Sequence, residues 1–598
     1  MVLTTTTTAA LLCLAACAST SLAAAESPAQ NSTYYNPILP GFHPDPSCIF
    51  VPERDNTFFC ASSSFNAFPG IPIHASKDLQ SWKLIGHVLN RREQLPRLAE
   101  TNSGIWAPTL RFHDENFWLV TTLVDDDRPQ ADFSRWDNII FKGKDPFDQG
   151  SWSNAVHFNF TGYDTEPFWD VDGKVYITGA HAWQVAPAIQ QAEVDLDTGK
   201  VTEWQTIWNG TGGMAPEGPH LFRKDGFYYL LAAEGGTGLD HRVTMSRSKN
   251  INGPFESNPA NPVLTNADTT NYFQTIGHAD LFQDGNGNWW GVALSTRSGP
   301  EYINYPMGRE TVMTPVSWPA DEWPVFSPVK GKMSGWPMPP RASSQDLGGV
   351  GPFISENDQI DFAPGTSLPP HFTHWRFPPS PSTFTVSPPA TPHTLRILPS
   401  NLNLTALNGN YAGPTGQSFV GRRQQDTLFT YRINLDFSPS ALEEEAGVSA
   451  LLTQNHHLDM GIVMLPASAS TTSFLGSKQV TTTTTATDPS ALIPQVRFRG
   501  ISYVAVPAPI IAPLPAGWAN QTLTLEIRAS NVSHYAFSIW PAAARSEAQT
   551  VIVASNAPVS WGFTGVLLGV YCTSNGHNGT TPAYVSKWRY TGDEQFRD

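Results

Sequence analysis

Before about residue 300 the apolar positions come in short runs, each followed by a polar turn rich in Asp, Asn or Gly and then by a second run that opens on a pair of bulky residues. This is the pattern of antiparallel hairpins, because half-buried strands are short and tight turns need residues that tolerate unusual backbone angles. Five copies are present, from Phe50 to Phe59, Phe112 to Trp118, Trp169 to Tyr176, Phe222 to Tyr229 and Phe282 to Trp290. Their second aromatics fall at 59, 118, 176, 229 and 290, a period of 53–61 residues, which gives room for a four-stranded blade with its loops. The period predicts an all-β chain whose residues 34–340 form a five-bladed β-propeller.

The same register predicts where side chains converge. Twelve positions before the second aromatic stand Trp106, Asp164, Glu217 and His278, and in the first copy, whose turn is longer, Asp45 stands fourteen before it. If these places open the innermost strands, three carboxylates, a tryptophan and a histidine meet on one axis. After Trp336 the pattern gives way to the Pro- and Gly-rich stretch 337–352, which reads as a linker. Residues 353–598 then alternate apolar and polar positions, as in Thr427–Asp436 and Thr522–Arg528, which predicts a β-sandwich. The Ser/Thr-rich run 468–487 reads as a solvated loop of that sandwich.

Composition narrows the function. With 36 Lys and Arg against 52 Asp and Glu the formal charge is -16, and no basic cluster reverses it locally, so nucleic acid is excluded as a partner. Residues 1–25 carry an uncharged apolar run ending in Ala23-Ala24-Ala25, which reads as a cleavable signal peptide; no later segment suits a membrane anchor, so a secreted, extracellular protein is expected. Asn-x-Ser/Thr acceptors at Asn31, Asn159, Asn209, Asn403, Asn520, Asn531 and Asn578 fit a glycoprotein. Cys48 and Cys60 flank the first hairpin and are read either as a disulfide or as two buried thiols.

Hydrolysis of a glycosidic bond needs one protonated carboxyl to protonate the leaving oxygen and one ionised carboxylate to activate water. Asp45, stiffened between Pro44 and Pro46, fits the base; Glu217, among few charges, fits an acid whose proton affinity is raised by desolvation. Asp164 is a third carboxyl at the same rim, with Glu166 competing for its role, and its charge is expected to raise Glu217 further. Phe65 and Trp106 offer apolar faces to a sugar ring, and His278 offers a ring nitrogen to water or a cation, with no second His at ligand spacing. Each residue alone has a plainer reading as a turn, strand-start or core residue.

Taken together, Asn36–Ser47, Ser63–Gly70, Ser76–Trp82, Glu217–His220, Ala233–Thr237 and Met307–Thr311 resemble glycoside hydrolase family 43, the β-xylosidase and α-L-arabinofuranosidase family. Phe419-Val-Gly-Arg-Arg-Gln-Gln425 is similar to a signature of the concanavalin A-like C-terminal domain of the xylosidase branch. The resemblance implies an inverting mechanism with Asp45 as base, Glu217 as acid and Asp164 as the group that tunes the acid. It also implies that Arg309 lies near the acid and the sugar hydroxyls, and that Phe65, Trp106 and Thr237 line the pocket. His278 should lie on the axis, where some members hold Ca2+ although no cofactor is required. Where the family usually has Asp-Pro-Ser/Asp, this chain has Asp164-Thr-Glu-Pro167. Fungal-type features around 566–579 favour release of α-L-arabinofuranosyl units from arabinoxylan in hemicellulose; the alternatives are a β-D-xylosidase acting on xylo-oligosaccharides and a non-catalytic carbohydrate-binding propeller.

Overall fold

The hairpins anticipated from the aromatic repeat are present in the computed structural model, which describes residues 31–343, 346–407, 415–472 and 488–598, with the backbone of 474–475 and 478–479. The signal peptide expected over 1–25 and much of the Ser/Thr-rich run, 473, 476–477 and 480–487, lie outside the described residues. In each of the five hairpins two aromatics face each other across the strands: Phe50 and Phe58, Phe112 and Phe117, Phe168 and Tyr176, Phe222 and Tyr229, Phe282 and Trp290. Such cross-strand aromatic pairs are a main source of hairpin stability, which is why the repeat is visible in the sequence.

Each hairpin opens one antiparallel sheet. The innermost strands are Ser47–Val51, Gly104–His113, Gly162–Trp169, Glu217–Lys224 and Phe273–Gln283. Each touches the next, and the fifth touches the first, so the sheets close into a ring. A propeller results, with few exposed strand edges. The N-terminal segment latches the ring, since Thr33–Tyr35 pairs with Lys332–Ser334 and the Asn36 side-chain amide donates to the Met313 carbonyl (3.0 Å). Cys48 and Cys60 lie opposite each other in the first hairpin and are joined by a disulfide, while Cys572 is free and buried.

The stretch read as a linker is not a loose tether. Leu347 is buried in the core of the first two sheets, the Ala342 amide donates to Asp78, and the Leu84 and Ile354 amides bond to the Pro352 and Trp82 carbonyls. Its apolar residues and backbone donors are satisfied by the first blade, which anchors the start of the sandwich there.

The sandwich packs an eight-stranded sheet on a six-stranded one. Leu428–Asp436 alternates buried and half-buried residues along its length, and one continuous core lies between the sheets. Its C-terminal tail returns to the propeller, where Arg297 donates to the Gln595 side chain (2.6 Å) and the Phe596 carbonyl (2.9 Å).

Candidate active site

Near the axis each innermost strand, or the residues leading into it, holds a residue in the left-handed region at an equivalent place: Asp45 (φ 51°), Ala107 (φ 35°), Asp164 (φ 54°), Gly218 (φ 54°) and His278 (φ 48°). In the second to fifth sheets the strand register slips at the same places. Such bulges re-aim side chains, and non-glycine residues held at positive φ cost on the order of 1–3 kcal/mol each, so the ring stores strain where it points groups inward. Gly218 meets a second constraint, because a Cβ there would stand 2.9 Å from His278 Nε2. The twelve-residue count lands on the left-handed residue in sheets three and five; in sheets two and four Trp106 and Glu217 directly precede it, since the bulge there falls one residue later.

Asp45, Phe65, Trp106, Asp164, Glu217, Thr237, His278 and Arg309 all line one cavity of about 190 Å³. That is below the roughly 300–1,000 Å³ of pockets for drug-sized ligands and suits a single monosaccharide. Sequence reasoning missed Gln130, Trp136, Tyr163, Trp183, Met214 and, from the sandwich, Phe563. Phe563 stacks on Phe65 (6.0 Å, 3° between planes), and its carbonyl accepts from Arg309 Nε (3.1 Å), so the second domain builds one wall. The aromatic lining continues through Trp106, 6.3 Å from Phe563, to Tyr163, which is edge-on to Trp106 (5.8 Å) and stacked on Trp136 (5.2 Å). Buried Glu234 fixes the loop leading to Met214 by accepting from the Thr211 amide (2.8 Å), the Thr211 hydroxyl (2.9 Å) and the Gly213 amide (2.8 Å).

The three carboxyls differ in charge state. Burial works against ionisation of Asp45, but Arg309, which grips both its oxygens (2.8 and 3.3 Å), His278 and the Ser63 hydroxyl (2.5 Å) hold it below the usual carboxylate range. Burial, then repulsion by Asp45, pushes Glu217 up to about 7, although a hydrogen bond from the Tyr163 hydroxyl (3.0 Å) and the charge of Arg309 restrain the rise. Asp164 is pushed well above its ordinary value by burial, then by Glu217 and Asp45, and its one restraining hydrogen bond comes from the Gly218 amide (3.0 Å). Asp164 and Glu217 repel each other when both are ionised, so the charge of either raises the proton affinity of the other, with burial the larger cause in both. At neutral pH the cluster holds an ionised Asp45 beside protonated carboxyl.

Arg111 occupies the next layer along the axis. Its guanidinium donates to Asp280 (2.8 and 3.2 Å), Ser47 (3.1 Å) and Glu166, and lies 3.1 Å from His220 Nδ1, touching all four other innermost strands. Glu166 is thereby removed from competition with Asp164, its second oxygen accepting the Leu221 amide (2.5 Å). These residues do not fit a calcium ion, which takes roughly 6–8 oxygen ligands. The axial place is filled by a guanidinium, and His278 faces Asp45 (3.7 Å) and Asp164 (3.9 Å). Among the described residues no group of three His, Cys, Asp or Glu side chains is arranged to hold a metal. Two histidines that sequence spacing did not reveal, His220 and His241, do surround His278, and burial holds His278 neutral, at about 4.

A sugar-sized cavity on a propeller axis, with one ionised and one protonated carboxyl, defines a glycoside hydrolase. Residues 34–324 match the model of glycosyl hydrolases family 43, and residues 359–591 match that of the beta xylosidase C-terminal concanavalin A-like domain. The chain is 32% identical over 562 residues to the non-reducing end alpha-L-arabinofuranosidase BoGH43B of Bacteroides ovatus, covering 92% of this chain and 93% of that one. It is 32% identical over 430 residues to a beta-xylosidase of Bacillus subtilis, 69% of this chain and 76% of the relative. The crystal structure of a xylan beta-1,4-xylosidase from Bacillus halodurans superposes with a TM-score of 0.76 at 26% identity, covering 93% of this chain and 100% of that one. The chain belongs to glycosyl hydrolases family 43.

Proposed function

We propose that the protein is a secreted, inverting exo-glycosidase that releases terminal α-L-arabinofuranosyl units from arabinoxylan. The observation that carries this reading is the pairing of ionised Asp45 with raised Glu217 in one single-residue cavity. A terminal sugar enters against Phe65, Trp106 and Phe563. Glu217 gives its proton to the glycosidic oxygen as that bond breaks, and Asp45 takes a proton from the water that attacks the anomeric carbon on the opposite face. Asp164 orients the Gly218 backbone beside the acid, and Arg309 keeps Asp45 ionised. Thr237 and His278 supply polar contacts to sugar hydroxyls.

The match over nearly all of BoGH43B supports arabinofuranose as the released sugar. A β-D-xylosidase is the second reading, favoured by the Bacillus subtilis relative and the type of C-terminal domain. Export agrees with the apolar leader and with exposed sequon asparagines at 31, 159, 209, 520, 531 and 578. Digestion of wheat arabinoxylan and of xylo-oligosaccharides, followed by NMR of the first sugar released, tests the proposal. Arabinose appearing first as the β-anomer is the expected product. Xylose as the main product selects the second reading, and α-arabinose appearing first rules out inversion.

A further inference from the structure

Where the first blade meets the sandwich, a cavity of about 20 Å³ is lined by the polar His43, His74, His371, Arg422, Arg423 and Gln425 among apolar side chains. A polar space of this size holds one water-sized species. Arg423 is 5% exposed; its Nε donates to the Phe42 carbonyl (3.0 Å), its Nη1 to the Thr373 hydroxyl (3.2 Å), and its Nη2 has no hydrogen-bond partner among the described residues. Asp358, which pairs with the adjacent Arg422 (2.8 Å) and with His371 (3.1 Å), is already committed. Burial pulls Arg423 down only to about 10, so it is a charged group at neutral pH, and among the described residues no carboxylate pairs with it. A buried charge in that condition is severely destabilising unless something of opposite sign joins it.

Around this cation stand further groups without partners. His43 Nε2, His74 Nδ1 and His87 Nε2 are buried and make no hydrogen bond, and the His43 ring meets His74 edge-on at 4.7 Å. Burial first, and the charge of Arg423 in addition, keep His43, His74 and His87 neutral, so none of them adds a charge of its own. A neutral imidazole still has one N–H to donate. Arg423, His43 and His74 thus line a space in which Nη2, Nε2 and Nδ1 respectively find no hydrogen-bond partner. Water would satisfy the hydrogen bonds and leave the charge.

We propose that this cavity is a binding site for a small monovalent anion of chloride size, which neutralises Arg423 and joins the sandwich to the loop that carries Asp45. The link to the site is short. His43 lies two residues before Asp45, its carbonyl accepts the Thr311 hydroxyl (2.7 Å), and its Nδ1 lies 3.2 Å from the hydroxyl of Ser62, the neighbour of Ser63 that holds Asp45. Sulfate and phosphate exceed the space.

Thermal unfolding of the full chain, followed at constant ionic strength while chloride replaces gluconate, tests the site together with anomalous diffraction from crystals grown in bromide. Binding to the folded state alone should raise the midpoint with chloride until it saturates, and sulfate should not reproduce the rise. Bromide should give an anomalous peak between His43, His74 and Arg423, and Arg423→Gln should abolish the chloride response. A midpoint indifferent to chloride, a water in place of the bromide peak, or an unchanged response in Arg423→Gln would each overturn the proposal. Should that variant fail to fold, the bromide experiment on the unaltered chain decides.

Discussion

The same five inner strands carry two layers of polar side chains with opposite electrostatics. In the layer facing the cavity, Asp45, Asp164 and Glu217 share the field of Arg309, and two of the three are driven towards their protonated forms. One step along, Glu166 and Asp280 share Arg111, with Ser47 and His220 filling the remaining hydrogen bonds. Burial alone would favour protonated Asp280, yet Arg111 and His220 keep it ionised. Carboxylates are therefore poor indicators of chemistry by themselves. What separates the layers is how far one guanidinium is shared: three carboxyls around Arg309 leave a mobile proton, whereas two carboxylates each gripped directly by Arg111 form a strut.

The difference is broken most severely in the upper layer. Glu217→Gln and Asp45→Asn should each lower kcat by about 10²–10⁴-fold while the fold persists, as read by steady-state kinetics on an aryl arabinofuranoside and by circular dichroism. In the lower layer, Arg111→Met should leave Glu166 and Asp280 buried without a counter-charge and cost about 3–5 kcal/mol in urea unfolding. Activity per folded molecule should fall far less than in Glu217→Gln; a loss of equal size would mean that both layers do chemistry.

The pH dependence of stability sharpens the contrast. Because Glu217 holds its proton up to about 7 when folded, it adds to stability below its unfolded value of 4.5, and that contribution is lost as pH rises through 7. Glu217→Gln, which cannot ionise, should therefore be more stable than the parent above pH 7, by up to about 3 kcal/mol, with the gap closing by pH 5. Calorimetry at the two pH values checks the sign. The smallest effect is expected from Tyr163→Phe. Its hydroxyl restrains the rise of Glu217, so its removal should move the alkaline limb of the pH–rate profile upward by less than about one pH unit.

Much of this arrangement was legible from residue order because hairpins are local. The facing aromatics repeat with the blade, and counting back from them reached Asp45, Trp106, Asp164, Glu217 and His278, all of which line the cavity. The count failed by one residue against the left-handed positions in sheets two and four, because a bulge adds a residue without changing composition; Ala107 carries no mark of its positive φ. Arg111 could not be singled out, since its meaning depends on four other strands converging on it. Phe563 was out of reach for a different reason: it meets Phe65 across almost the whole chain, and no periodicity spans that separation. Leu347 was a weak signal overlooked, one apolar residue in a stretch read as a tether that is in fact core.

The participation of Phe563 bears on when this enzyme can first act as it is made. By the time the fifth blade has left the ribosome, every carboxyl of the cluster has been translated, but Arg309 still lacks the carbonyl that receives its Nε, and Arg297 lacks Gln595 and Phe596. A half-finished chain would hold its reactive groups under an open roof. The Phe563 wall and the carbonyl that receives Arg309 Nε are thus in place only once the sandwich has docked on the propeller.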